Sequence, residues 1–213
     1  MYGRTLPLAT ALLLAAGAAG AGAPIPPNTA QCLTPAEATL AQLVNTYRVQ
    51  NGRAAVPVSF SLSSVAQWHV WDLQANNPVG GTCNLHSWSG GMPSLWTAVC
   101  YTPDHAQAAQ MWNKPRQVTH DAYTASGYEI AYGASGFTAT PQGALAAWQG
   151  SPGHNEVILN NGAWASRNPW PAMGVGLFGG FAVVWFGDAA DALGPMAPCG
   201  AAGTIFAHGF ENP

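Results

Sequence analysis

Helical and strand periods follow one another irregularly along this chain of 213 residues, and the irregularity predicts an α+β fold. Three helical stretches come first, then one alternating strand, one further helix, and two strand patterns separated by Gly179-Gly180. A regular strand–helix–strand repeat, which would mark a parallel sheet, is missing from the pattern. A mostly antiparallel sheet with helices packed on it is the expected architecture.

Each element has a local reason. Thr34-Pro35-Ala36-Glu37 is a capping box with proline at the first helical position, so a helix starts there. Leu40, Leu43, Val44 and Tyr47 recur at i, i+3, i+4 and i+7 and give it one buried stripe, which Gly52 ends. Val56-Pro57-Val58 is a short extended link. A second helix begins near Ser61 to Ser64, carries Val65, Ala66, His69, Val70 and Leu73 on one face, and stops at Asn76-Asn77-Pro78. His69 reads as a half-buried histidine bonded within the fold, with Asp72 placed to lie beside it. Residues 80–89 form a turn-rich loop. Asp104 can cap a third helix, through Ala108, Met111 and Trp112, that breaks at Pro115.

Residues 126–133 alternate: Tyr128, Ile130 and Tyr132 share one face, and Glu129 and Ala131 the other. This is a strand with a lone carboxylate on its second face. Thr140-Pro141 starts a helix ending at Trp148. Ser151-Pro152-Gly153 then turns the chain and sets His154 at the entrance of a short helical pattern through Val157, Ile158 and Leu159. Gly179-Gly180 suits a two-residue hairpin turn.

Composition limits the function classes. Only 7% of residues are charged, against roughly 25% in ordinary soluble domains, and the formal net charge is −3. With no basic run, nucleic acid is not an expected partner. Arg4, an apolar run over 6–19, and Ala21 and Ala23 before Pro24 read as a secretory signal peptide. The expected organisation is therefore a signal peptide over 1–23, an extended leader over 24–34, a domain over 35–188, and a Gly/Ala/Pro-rich tail over 189–213. No later stretch has the ~18 apolar residues of a membrane span. The chain is expected to be secreted or periplasmic, where its four cysteines allow three disulfide pairings. Proximity favours Cys83–Cys100, and the remaining pair, Cys32–Cys199, flanks the globular region. A four-cysteine zinc site would need a Cys-x-x-Cys spacing that the sequence lacks.

Three groups could converge on chemistry: His86, Glu129 and His154. Two imidazoles and a carboxylate make a divalent-metal set for which zinc is the natural ion, and they serve equally well as general acid and base. Ser87 and Ser151 adjoin histidines without a Gly-x-Ser-x-Gly elbow. Most tryptophans read as packing, with Trp88 or Trp96 as the alternative platform for a sugar or cover for a lipid groove.

Several segments, taken in order, resemble the CAP superfamily of cysteine-rich secretory proteins, antigen 5 and pathogenesis-related 1. They are Asn45-Thr46-Tyr47-Arg48; Ala66 with His69 and Asp72; His86-Ser87; Gly127-Tyr128-Glu129-Ile130-Ala131; Trp148 through Ser151-Pro152-Gly153-His154; and Gly174-Val175-Gly176 with Trp185-Phe186-Gly187. The segment around Trp148 is similar to the bacterial type. The resemblance implies an α-β-α sandwich around an antiparallel sheet, with His86 and His154 as a cleft histidine pair and Glu129 as the strand carboxylate. It also implies a possible zinc on His86 and His154. The pattern departs in one respect: no acid occurs between Glu129 and His154, and Glu156 is the nearest candidate for the cleft.

The function implied is a secreted module that binds a lipid, sterol, glycan or protein partner in a His/Glu-lined cleft. The alternatives are a metal-assisted hydrolase with Glu129 as general base, and an envelope protein with a vestigial cleft. Near the end, Ile205-Phe206-Ala207-His208-Gly209-Phe210-Glu211 resembles a short ending of exported bacterial proteins, or is a segment that packs back on the domain.

Overall fold

The computed structural model describes residues 31–167 and 169–200. The segment expected to be a signal peptide, most of the expected leader and the 205–211 segment lie outside the described residues.

The capping box forms as its chemistry requires. Thr34 accepts the Glu37 N–H at 3.2 Å, the Glu37 carboxylate accepts the Thr34 N–H at 2.8 Å, and helix α1 (Pro35–Gln50) follows. Ser59 caps α2 (Phe60–Asn76) by accepting the Leu62 N–H at 2.9 Å, and Asn77, in the left-handed region, ends it. Further along are α3 (Ala108–Trp112), α4 (Lys114–Val118), β1 (Gly127–Gly133), α5 (Pro141–Gln149) and α6 (Pro152–Leu159). A 3-10 helix (Gly162–Arg167), β2 (Ala172–Phe178) and β3 (Phe181–Gly187) complete the order.

The three strands form one antiparallel sheet in the order β1-β3-β2, so β1 is an edge strand. Side chains of β3 alternate between two cores, as the pleat dictates. Ala182, Val184 and Phe186 pack with Leu40, Val44, Trp148 and Ile158 of α1, α5 and α6. Phe181, Val183 and Trp185 pack with Leu62, Val65, Val70 and Leu73 of α2 and with Trp88 and Trp96. Helices thus cover both faces, and the architecture is the expected α-β-α sandwich. Gly174 and Gly176 of β2 let α2 lie directly on the sheet. A Cβ at Gly174 would come within 1.9 Å of the Leu62 carbonyl carbon, and one at Gly176 within 2.4 Å of the Ala66 oxygen.

Both favoured disulfides form, Cys32–Cys199 and Cys83–Cys100, each with 4.9 Å between Cα atoms. Several expectations need correction. The helix through Trp112 ends at Asn113, just before Pro115 as expected, but a new helix starts there: Pro115 occupies the first turn of α4, where its missing N–H costs nothing. Asp104 does not cap α3; it accepts the Ala106 N–H at 3.2 Å in the turn before it. Trp88 and Trp96 are buried, 1% and 2% exposed, so neither is a ligand platform.

Residues 189–200, the described part of the Gly/Ala/Pro-rich tail, are pinned at Cys199 and also earlier. Asp191 accepts the Ser61 N–H at 2.7 Å and the Ser59 hydroxyl at 2.6 Å, putting a negative charge at the N-terminus of α2 where the helix dipole favours it. Pro195 bridges to Ser59, and Pro198 to Leu33.

Candidate functional site

A cleft of about 380 Å³ opens along β1, between α3 and the N-terminus of α6. The three sequence candidates His86, Glu129 and His154 all line it. Glu129 points toward the α2 face, where the strand period puts it. His86 is set by the 80–89 loop, in which Asn84 accepts its backbone N–H at 3.0 Å. His154 stands in the first turn of α6.

The helix carrying His154 is held from α1 and from the strand side. The Tyr47 hydroxyl donates to Asn155 Oδ1 at 2.8 Å, Arg48 Nη1 donates to Asn160 Oδ1 at 3.0 Å and to the Ile158 carbonyl, and Trp170 Nε1 donates to the Val157 carbonyl at 2.8 Å. The Asn45-to-Arg48 segment thus clamps the helix that positions the second imidazole.

Glu129 is shared between two histidines. His86 Nδ1 donates to Oε2 at 2.9 Å, while His69 Nδ1 stands 2.9 Å from Oε1, in ion-pair contact but off the line of a hydrogen bond. The Ser87 carbonyl, 3.1 Å from His69 Nε2, can only accept, so that nitrogen carries a proton. His69 is fully buried and stacked on Trp88 at 4.2 Å. It is a member of the site that sequence reasoning assigned to the core. Asp72 does not lie beside it; its carboxylate accepts instead from the Ser89 N–H at 2.7 Å and from Asn76 at 2.7 Å.

The electrostatics follow from this sharing. Burial alone would raise the Glu129 pKa, but its close contacts with His69 and His86 outweigh it and hold the carboxyl down at about 2. Burial pulls His86 down, yet the adjacent carboxylate wins and its pKa is raised. His154 is lowered, first by burial and then by the charge of His86, with Glu129 offsetting this only in part. The two imidazoles are pushed in opposite directions.

Other members of the cleft carried no sequence signal of their own. Trp112 and Trp164 bracket Tyr128, at 5.4 and 4.9 Å between ring centroids, and make an aromatic end. The Tyr101 hydroxyl and His105 Nδ1 meet at 2.9 Å at the polar end. Glu156, the acid expected to make up for the missing one, turns away. Two residues beyond His154 is about 200° around a helix, and its carboxylate lies over Gly162, where a Cβ would come within 2.4 Å of Oε2. Ser87 is buried with its hydroxyl accepting the Tyr101 N–H at 2.9 Å, which removes it as a nucleophile.

The donor set does not fit a resident zinc. The His86 and His154 ring centroids are 6.5 Å apart. Two imidazoles on one tetrahedral zinc, with Zn–N bonds of about 2.0–2.1 Å, would have centroids roughly 5.3 Å apart. A third ligand is also wanting, because both Glu129 oxygens face imidazoles. Among the described residues no group of three or more His, Cys, Asp or Glu is placed to hold a metal.

No protein family profile matches the chain, and no curated protein matches it. Solved structures similar to it include two from bacteria. One is an outer surface protein of Borrelia burgdorferi, with a TM-score of 0.44 and 17% identity over 70% of this chain and 88% of that one. The other is a cysteine-rich secretory protein of Staphylococcus aureus, with a TM-score of 0.45 and 14% identity over 72% of this chain. The aligned part spans 38% of the staphylococcal chain. That second protein carries the name of the group the sequence motifs resemble; neither likeness speaks to ligand or reaction.

Proposed function

We propose that the chain is an exported CAP-type module that holds a ligand in the cleft along β1 and acts by binding rather than by reaction. The use made of Glu129 carries this reading. Its side chain is 1% exposed and both oxygens face imidazole nitrogens, so it has no free side for a substrate water. A carboxyl held at about 2 is also a weak base. Glu129 is better read as the group that orients His86, fixing Nδ1 as the protonated nitrogen and leaving Nε2 for a ligand. Export is supported by the two disulfides and by the N-terminal sequence pattern.

The test follows the imidazole Cε1–H resonances of His86 and His154 while palmitate, cholesterol, chitotriose and a degenerate pool of capped hexapeptides are added in turn. At least one class is expected to shift both resonances. If all four leave both in place at saturation, the binding reading fails and a vestigial cleft takes its place.

A second reading has one observation in its favour. The opposite pKa shifts of His86 and His154 are the arrangement that acid–base catalysis uses. A hydrolase built on that pair would turn over p-nitrophenyl acetate at a rate lost in both His86→Ala and His154→Ala; turnover unchanged in either variant rejects it.

A further inference from the structure

The parity of β1 decides which of its backbone groups are free. The Ser126 carbonyl accepts the Asp188 N–H, and the Ala134 N–H donates to the Gly180 carbonyl, so even-numbered residues between them turn their N–H and C=O groups to β3. Odd-numbered residues turn theirs outward. Ala131 agrees, because its carbonyl accepts Trp148 Nε1 at 3.1 Å from outside the sheet. That tryptophan closes the edge at Ala131 and leaves it open at Glu129. Glu129 is half-buried as a residue although its side chain is 1% exposed, so the part that solvent reaches is its main chain. Gly127, the other outward residue that lines the cleft, is buried, so the floor of the cleft presents the N–H and C=O of Glu129, with no hydrogen bond to another described residue.

We propose that the cleft takes an extended peptide segment, one residue of which pairs through its own N–H and C=O with the outward main chain of Glu129. The proposal rests on the binding reading above and names the ligand class. The geometry selects a peptide over an N-acetylated sugar. A trans amide points its N–H and C=O in opposite directions, so one acetamide cannot satisfy both groups of a strand residue. An extended amino-acid residue points both to the same side and can. Ligand residues on either side of the paired one would set their side chains against Met111, Trp112 and Trp164 at one end and the imidazoles of His86 and His154 at the other. The Trp148 hydrogen bond to Ala131 limits pairing to a short bridge and keeps the edge from templating a full strand of a second chain.

The experiment uses the full chain, both disulfides formed and 15N-labelled. Two degenerate pools of N-acetylated, C-amidated hexapeptides are added at millimolar total concentration, one unmodified and one N-methylated at every second amide. With the unmodified pool, the Glu129 amide should shift and its hydrogen exchange slow by about tenfold or more, since an amide in a bridge is protected. The N-methylated pool should do so at least severalfold less well. A Glu129 amide that neither pool affects overturns the proposal, as does equal protection by the two. A response of that amide to chitotriose and not to peptide overturns it in favour of a glycan. Histidine resonances that move with palmitate, cholesterol or chitotriose while the Glu129 amide ignores peptide would remove the peptide and leave the binding reading standing.

Discussion

Two glutamates in this protein have buried side chains and titrate in opposite directions. The Glu37 carboxylate receives the Thr34 N–H and hydroxyl, the Gln67 amide and the Leu177 N–H, all neutral donors, and burial keeps its pKa above the ordinary value. Glu129 makes fewer contacts, but they come from two imidazoles, and its pKa falls to about 2. The number of hydrogen bonds does not set the sign; a neighbouring cation does. Glu37 joins α1 to α2 and β2 and belongs to the frame. Glu129 stores charge at the edge of a cleft, which a frame does not need.

Replacing each glutamate by its amide should break the symmetry most sharply. Glu129→Gln removes the carboxylate that faces one buried and one partly exposed imidazole, and denaturant unfolding at pH 7 should show a loss of about 3 kcal/mol, as for other broken buried pairs. Acid should produce a change of similar size in the wild type. The folded Glu129 pKa lies below its unfolded value of 4.5, so its stabilisation is complete above 4.5 and is lost as the pH falls through about 2. That loss is about 3 kcal/mol and should vanish in Glu129→Gln.

Glu37 has the reverse sign. Its folded pKa lies above 4.5, so stability rises as the pH drops from that value toward 4.5, and Glu37→Gln should flatten the rise. The same variant should cost only about 1 kcal/mol at neutral pH, because an amide keeps one acceptor. Equal losses in the two amide variants would dissolve the comparison. A smaller effect is expected from His86→Ala, which removes the charge that helps to lower His154 and should raise the His154 titration midpoint, as read by NMR; a fall would reverse the assigned sign. Zinc is predicted to have the least effect. Calorimetry should detect no stoichiometric binding at micromolar metal, and His86→Ala/His154→Ala should behave as wild type. A tight wild-type-specific zinc would pull His86 from Glu129 and erase the contrast.

Wherever local chemistry decides the structure, the sequence announced it. The capping box, the alternation that puts Glu129 on its own face and the Gly179-Gly180 hairpin all stand in the fold, while the meeting of His86, Glu129 and His154 on one cleft was implied by the ordered motifs and by no local pattern. Partner choice was not legible, because it depends on which layers meet. His69 sits on an apolar helix face, and nothing in that pattern separates a core histidine from one that shares a carboxylate across a layer. Asp72 was assigned to it by helical spacing, yet the 80–89 loop offers Asp72 better donors. At Pro115 the sequence showed the end of one helix and not the start of the next, because a proline fits both. Asp191 lies in a Gly/Ala/Pro-rich stretch and caps a helix that begins 130 residues earlier, a distance no local pattern spans.

The Cys32–Cys199 bond has a mechanical consequence. Its separation of 167 residues encloses both cores, the sheet and the whole cleft. Tension applied through the chain on either side, by a tether or by a partner pulling on an end, runs from Cys32 to Cys199 across the disulfide and bypasses the residues between. The capping box, the α1–α6 clamp and the triad of His69, Glu129 and His86 then bear no load. Until the bond is reduced, the cleft keeps its shape under force that would unravel an unbridged domain from its ends.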